Sequence, residues 1–310
     1  MTALTIDHEV DKGISVRDGD LQLFRYTYAP DNVQLESPKP YIHPIRTRAG
    51  HLVSLLRPHD HVWHKGIAWS LPHLGDQNFW GGPTYVQGGY VQLDNNGTQQ
   101  HRSVVGIGQD GPGIAVAHDL EWITQAGSRY FTERRTLRAS ILSDTAWALI
   151  FETEMTNVSG AAVSIGSPTT KGRENAGYGG LLWRGPRSFT DGQLVTAAGA
   201  GGEELRGRRE QWMAFTGNLD DSTATSTVLM VDDPSNPHHP PQWFARTEEF
   251  ACLNPAPFFS EELEIADGET VRFRYGVGIA DGGVDVAPGL ADGVTQALAS
   301  STRPVPAGVG

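Results

Sequence analysis

The feature that most constrains this chain is the even scatter of its turn-formers. Its 37 glycines and 19 prolines run along all 310 residues, and no long stretch keeps a helical hydrophobic period. Glycine supplies positive φ and proline a fixed φ, so punctuation at this spacing divides a chain into short strands joined by tight turns. After Asp18-Gly19-Asp20 the run LQLFRYTY alternates residue by residue, the period of a hairpin strand. YIHPIRT, HLVSLL, YVQLD, GIAVAHDLEWIT, FTERRTLRA, AWALIFETEMTN, AAVSIGS, TVLMVDD, QWFART, LEIAD and TVRFRYGVGI read as further strands. The charged segments 129–138 and 149–156 mix charged and apolar side chains at short spacing, as neighbours in one half-exposed sheet do. The pattern predicts an all-β fold, a large antiparallel β-sandwich. One sandwich domain over residues 1–290 is expected, with a short helix or flexible tail at 291–310. Short helices fit only at 202–213 and 290–300, and the final STRPVPAGVG is expected to fray.

With 8 Trp, 11 Phe and 8 Tyr the chain has the material for a substantial core. Its lone cysteine, Cys252, excludes an internal disulfide and fits a reducing compartment. No window has the apolar length of a membrane span, and the opening MTALTIDHEVDKG has neither a basic nor an apolar leader segment. The expectation is a cytoplasmic protein. A formal charge of −12 repels phosphate backbones, so the expected partner is a small molecule, with neither nucleic acid nor membrane involved. Oligomeric partners stay open.

Chemistry concentrates between Arg57 and Trp80, in RPHDHVWHKGIAWSLPHLGDQNFW, which holds four of the eleven histidines. His61 and His64 are the candidate acid/base pair, since a neutral imidazole works near physiological pH. Trp63 and Trp80 supply indole faces of the kind that cover the C–H face of a pyranose, with Arg57 and Lys65 as polar neighbours. A divalent metal is the alternative. His59 and His61 share one face of an extended strand, and His64 joins them if the chain bends. Taken singly, each of these residues fits an ordinary interior as well, with its ring nitrogens satisfied by backbone. The density of the cluster favours a site, because several packed imidazoles need partners for every N–H and lone pair.

Two later segments belong to the same expected face. KGRENAGYGGLLWR brings Glu174 and Tyr178 as catalytic candidates and Arg184 as a ligand contact, among glycines that let backbone approach a ligand. NPHHPPQWFART is a proline-stiffened loop presenting His238 and Trp243. There is no GxSxG elbow and no glycine-rich phosphate loop.

The ordered segments DHVWHKGIAWS, NFWGG, ENAGYGGLLWR, NPHHPPQWFAR and LNPAPFFSEELEIADGETVRFRYGVGIADG resemble the uncharacterised bacterial family labelled PmoA-like, across about residues 38–283. A particulate methane monooxygenase spans a membrane, and this chain shows no span, so the label gives no warrant for methane oxidation. The histidine-rich segment, the late CLNP strand and the ADGET turn bear a fainter likeness to the galactose mutarotase-like supersandwich. That likeness implies a fold that binds or acts on carbohydrates. Where mutarotases place a catalytic glutamate in the late strand this chain has Asn254, read here as a substrate contact; where PmoA-like relatives place a histidine before the final Asp-Gly it has Ala280. The leading functional expectation is a carbohydrate-active enzyme moving protons by histidine, as an epimerase, lyase or glycoside-cleaving hydrolase. A non-catalytic carbohydrate-binding protein and a metal-dependent oxygenase or hydrolase are its rivals.

Overall fold

A computed structural model of the chain describes residues 3–220, 222–301 and 305. Among the described residues two large antiparallel sheets carry the fold, so the expected all-β sandwich class holds. One sheet orders its eight strands as Thr5–Glu9, Gly13–Asp18, Leu21–Thr27, Tyr41–Ile45, Ile67–Ser70, Gly180–Arg184, Cys252–Ala256 and Gln242–Arg246. The other orders nine as Gly199–Gly201, Gln193–Thr196, Trp212–Asn218, Thr225–Asp232, Thr270–Asp281, Ala146–Asn157, Arg129–Ser143, Gly113–Ile123 and Thr98–Asp110. Leu263–Ile265, Val163–Gly166 and His73–Leu74 form a small third sheet, and Thr84–Val86 pairs with Gly89–Val91 in a separate hairpin.

The core lies between the large sheets. Trp69, Trp122, Trp147, Trp183 and Trp243 are fully buried there. Burying a large apolar side chain contributes about 1.5–3 kcal/mol, so the facing sheets dominate stability. The period-two rule shows in Ala146–Asn157: Trp147, Leu149 and Phe151 enter the main core, while Ala146, Ala148 and Ile150 face a second apolar layer. That strand pairs with Arg129–Ser143 from Phe131 opposite Asn157 to Ser143 opposite Ala146, the neighbour relation read from the charged segments. The second layer is closed by a helix, Ala287–Ser300, whose Leu290, Ala291, Val294 and Leu298 are buried. Gly276 and Gly278 make the close approach possible, since a Cβ at either would sit 2.4 or 2.7 Å from a Val294 methyl.

Three expectations need correction, and one strand was missed. The helix starts at Ala287 and docks on the second sheet. At 202–213 there is a single 3-10 turn, Glu203–Leu205, before Gly207 takes a φ of 83° and a strand follows. HLVSLL forms only isolated bridges, at Leu52 and Leu56. Thr98–Asp110, by contrast, is a long strand that its polar sequence conceals, because it forms the exposed edge of its sheet. The fraying expected of STRPVPAGVG falls, apart from Ser301 and Val305, outside the described residues. No described helix is long and apolar enough to cross a membrane.

Candidate functional site

The strands Ile67–Ser70, Gly180–Arg184, Cys252–Ala256 and Gln242–Arg246 lie side by side, and their alternation sorts residues between core and cavity. Leu181, Trp183, Trp243, Ala245 and Leu253 point into the core; Leu182, Phe244 and Cys252 line a cavity of about 690 Å³ on the opposite face. The loop preceding Ile67 brings His61, Trp63 and His64 to this cavity, NFWGG brings Trp80 and Gly81, and the segment before Gly180 brings Arg173, Glu174 and Tyr178. Stretches distant in sequence therefore meet on one wall.

An acid–imidazole pair forms one side. His61 Nδ1 donates to Asp60 Oδ2 at 2.9 Å, which leaves the Nε2 lone pair of His61 as a proton acceptor. Arg184 Nη2, at 3.2 Å, and Arg187 Nη2, at 2.8 Å, also donate to Asp60. Burial opposes ionisation of Asp60, but the hydrogen bond from His61 and the Arg184 charge outweigh it and hold the carboxyl well below the usual carboxylate range. Asp60 is thus an anion that fixes the imidazole orientation. The His61 ring stacks on His64, centroids 4.8 Å apart and planes 21° apart. His64 is buried, and burial together with the positive charge of Arg184 pushes its pKa well below the ordinary histidine value. A guanidinium only donates, so the contact of Arg184 Nη1 with His64 Nδ1, at 3.4 Å, assigns the His64 proton to Nε2. One imidazole is therefore set to accept a proton and its neighbour to donate a neutral hydrogen bond.

Aromatic rings form the other side. Tyr178 packs on Trp80 with centroids 4.7 Å apart and on Phe244 at 5.4 Å. Its hydroxyl meets that of Tyr90, from the Thr84–Val91 hairpin, at 2.8 Å, and burial raises its pKa well above that of a free phenol. The glycines of NFWGG make room for Trp63, because a Cβ at Gly81 or Gly82 would approach its side chain to 2.6–2.7 Å. Arg184 lies below, fully buried, its guanidinium 3.8 Å from the Phe250 ring centroid.

Of the residues singled out from sequence, the cavity gathers His61, His64, Glu174, Tyr178, Trp63 and Trp80, with Arg184 directly behind them. The others lie elsewhere. Lys65 alternates away from His64 and is buried in an ion pair with Glu36, which also binds Arg57 at 2.7 Å. Trp243 is fully buried and donates its indole N–H to Glu210 O at 2.8 Å; parity presents its neighbours Phe244 and Arg246 instead. His238 Nδ1 bonds Pro257 O at 2.7 Å, away from the lining. Asn254 is fully buried and clamps the glycine loop, accepting from Gly179 N at 3.0 Å and donating to Leu181 O at 3.0 Å. His59 accepts from Arg187 at 3.0 Å and does not converge with His61 and His64. No group of three or more His, Cys, Asp or Glu side chains among the described residues is placed to hold a metal ion.

Sequence reasoning missed the importance of Glu36, Tyr90, Arg206, Phe244, Arg246 and Phe250. Strand parity through QWFAR could have found Phe244 and Arg246. Nothing local marks Tyr90 or Arg206, which reach the cavity from a separate hairpin and from the chain after a 3-10 turn.

A family model described as a family of unknown function (DUF6807) matches residues 13–290. That description leaves the chemistry open and gives no support to a methane-oxygenase label. No curated protein matches. Among solved structures the chain is similar to a Klebsiella pneumoniae protein provisionally assigned as an aldose 1-epimerase, at 8% identity and a TM-score of 0.43, over 97% of this chain and 88% of that one. It is also similar to an alpha-galactosidase from Lactobacillus brevis, at 10% identity and a TM-score of 0.36, over 90% and 40% of the two chains. The GH36 alpha-galactosidase AgaA from Geobacillus stearothermophilus matches at 10% and 0.38, over 96% and 41%. The chain spans about two fifths of the length of those two galactosidases. With TM-scores below 0.5 these likenesses bear on neither substrate nor reaction.

Proposed function

We propose, for a chain that belongs to the DUF6807 family of unknown function, that the cavity holds a sugar or keto-sugar on which His61 moves a proton. The observation carrying this reading is the meeting of an Asp60-oriented imidazole with a wall of indole and phenol rings in one cavity of about 690 Å³. Small-molecule sites run to roughly 300–1,000 Å³, with a mostly apolar lining and a few convergent polar groups. Indole and phenol faces suit the C–H face of a pyranose, and the hydroxyls of the ring need the polar groups beside them.

The chemistry follows from the two imidazoles. His61 Nε2 takes the proton from a carbon beside a carbonyl, and the bonding pair moves onto the carbonyl oxygen. The neutral N–H of His64 and the Tyr178 hydroxyl are the donors available to that oxygen. Return of a proton to the opposite face inverts the carbon; departure of a β-oxygen substituent gives elimination. The same base acting on water, with Glu174 as the second acid/base group, gives glycoside cleavage.

Deuterium incorporation reports the proton transfer directly. The protein in D2O is incubated with aldoses, ketoses and their glycosides, and C–H to C–D exchange and new products are followed by NMR. Exchange or product formation that falls about 10²–10⁴-fold in His61→Gln supports the reading. Undiminished turnover in both His61→Gln and His64→Ala overturns it. Binding that survives His64→Ala and collapses in Trp63→Ala, with no exchange or product in the unsubstituted protein, assigns a non-catalytic carbohydrate-binding protein instead.

A further inference from the structure

The charged groups around the cavity divide into those already paired and those left free for a ligand. Arg206 and Arg246 share Glu203, at 2.6 and 3.5 Å, and Arg246 also meets Glu249 at 2.9 Å. Arg184 and Arg187 share Asp60. Arg173 differs from all four in having no carboxylate partner among the described residues; a free Nε alone does not set it apart, since the Nε atoms of Arg184, Arg206 and Arg246 also lack a hydrogen-bond partner. Its guanidinium lies 4.9 Å from the centroid of the Tyr90 ring, and its Nη1 donates to the Tyr90 hydroxyl. Among the described residues no carboxylate pairs with it, and its Nε and Nη2 have no protein acceptor. Stacking on a phenol fixes the plane of a guanidinium without neutralising it, and the Nε–Nη2 edge is the fork that matches a carboxylate. Tyr90 in turn is tied to Tyr178, so this edge is held at the aromatic wall. The chain carries a formal charge of −12, so its long-range field does not draw anions, and recognition of one needs a local site of this kind.

Resting on the carbohydrate reading above, we infer that the ligand is an acidic sugar whose carboxylate is received by Arg173. Glu174, the next residue, also lines the cavity without a cationic partner among the described residues and would instead favour an amino sugar. Arg173 is half-buried and oriented by Tyr90, whereas Glu174 is exposed, and a pre-oriented charge that is less open to solvent discriminates more strongly.

The test is isothermal titration of the full chain at low salt with matched triplets: glucose, glucuronate and glucosamine, then the galacto and manno series. Within at least one series the uronate is expected to bind about tenfold more tightly than its neutral twin, the size of one charge-assisted contact. That ratio should fall to near one in Arg173→Gln and be partly retained in Arg173→Lys, with circular dichroism showing both variants folded. Equal affinity for uronate and neutral sugar, with binding lost in Trp80→Ala, overturns the acidic-ligand inference and leaves the carbohydrate reading standing. Preference for the amine overturns it in favour of Glu174. A uronate preference that survives Arg173→Gln overturns the assignment to Arg173. Absence of binding by every sugar removes the carbohydrate reading, and the inference falls with it.

Discussion

Replacing Asp60 by Asn tests how the site is built, because one carboxylate orients His61 and neutralises Arg184. The Arg184 side chain is fully buried, and among the described residues Asp60 is its one anionic partner, at 3.2 Å. Stranding a buried charge by removing its partner costs about 3–5 kcal/mol. Two features reduce that figure. The Asp60 side chain is 31% exposed, so water screens the pair, and the amide oxygen of asparagine still accepts a neutral hydrogen bond. The Arg187 contact involves a side chain that is 51% exposed and adds less than about 1 kcal/mol. Asp60→Asn should therefore destabilise the protein by about 2–3 kcal/mol in urea unfolding at pH 7, and adding Arg184→Met should recover most of the loss. The pH dependence has a definite sign. The folded carboxyl titrates below the unfolded value, so its stabilisation is present above about pH 4 and is lost as pH falls through the depressed native value. The variant should lack this acid-limb slope. If it is as stable as the parent at pH 7 and keeps the slope, Arg184 does not depend on Asp60 and the site is wrongly built.

Three further outcomes are expected. Glu36→Gln leaves the buried Lys65 ammonium without its carboxylate and should cost about 3–5 kcal/mol in urea unfolding, largely restored by adding Lys65→Met; a loss under about 1 kcal/mol would refute the pair. Gly82→Ala places a Cβ 2.7 Å from the Trp63 ring at a φ of 68°. It should cost about 1–3 kcal/mol and weaken sugar binding by titration, and destabilisation with unchanged affinity would detach Trp63 from the site. Burial pushes the Cys252 thiol up to about 12, so a disulfide reagent at pH 8 should label it only in denaturant, and rapid labelling of the folded chain would contradict that burial.

The hairpin at Gly19, the adjacency of segments 129–138 and 149–156 in one sheet and the sandwich class were legible because alternation and turn residues are local properties. Thr98–Asp110 was not, since an exposed edge strand has no apolar face to reveal it. The site was legible as a list of residue types and less so as an arrangement. His61, His64, Trp63, Trp80, Glu174 and Tyr178 stood out because several imidazoles packed together each need partners, and because indole faces and an acidic-aromatic loop among glycines are residue types suited to a ligand.

Which of its neighbours share the cavity was decided only in three dimensions. Trp243 and Phe244 differ by one step of a strand and face opposite ways, and Asn254 is occupied by backbone it meets 75 residues away. Glu36, 29 residues before Lys65, removes that lysine from the site by pairing with it. The sequence by itself determined the fold class and the chemical vocabulary of the site, because periodicity and residue type are written in the chain. The tertiary structure alone decided which charges are already neutralised and which remain free, because pairing depends on distances between segments that no local pattern encodes.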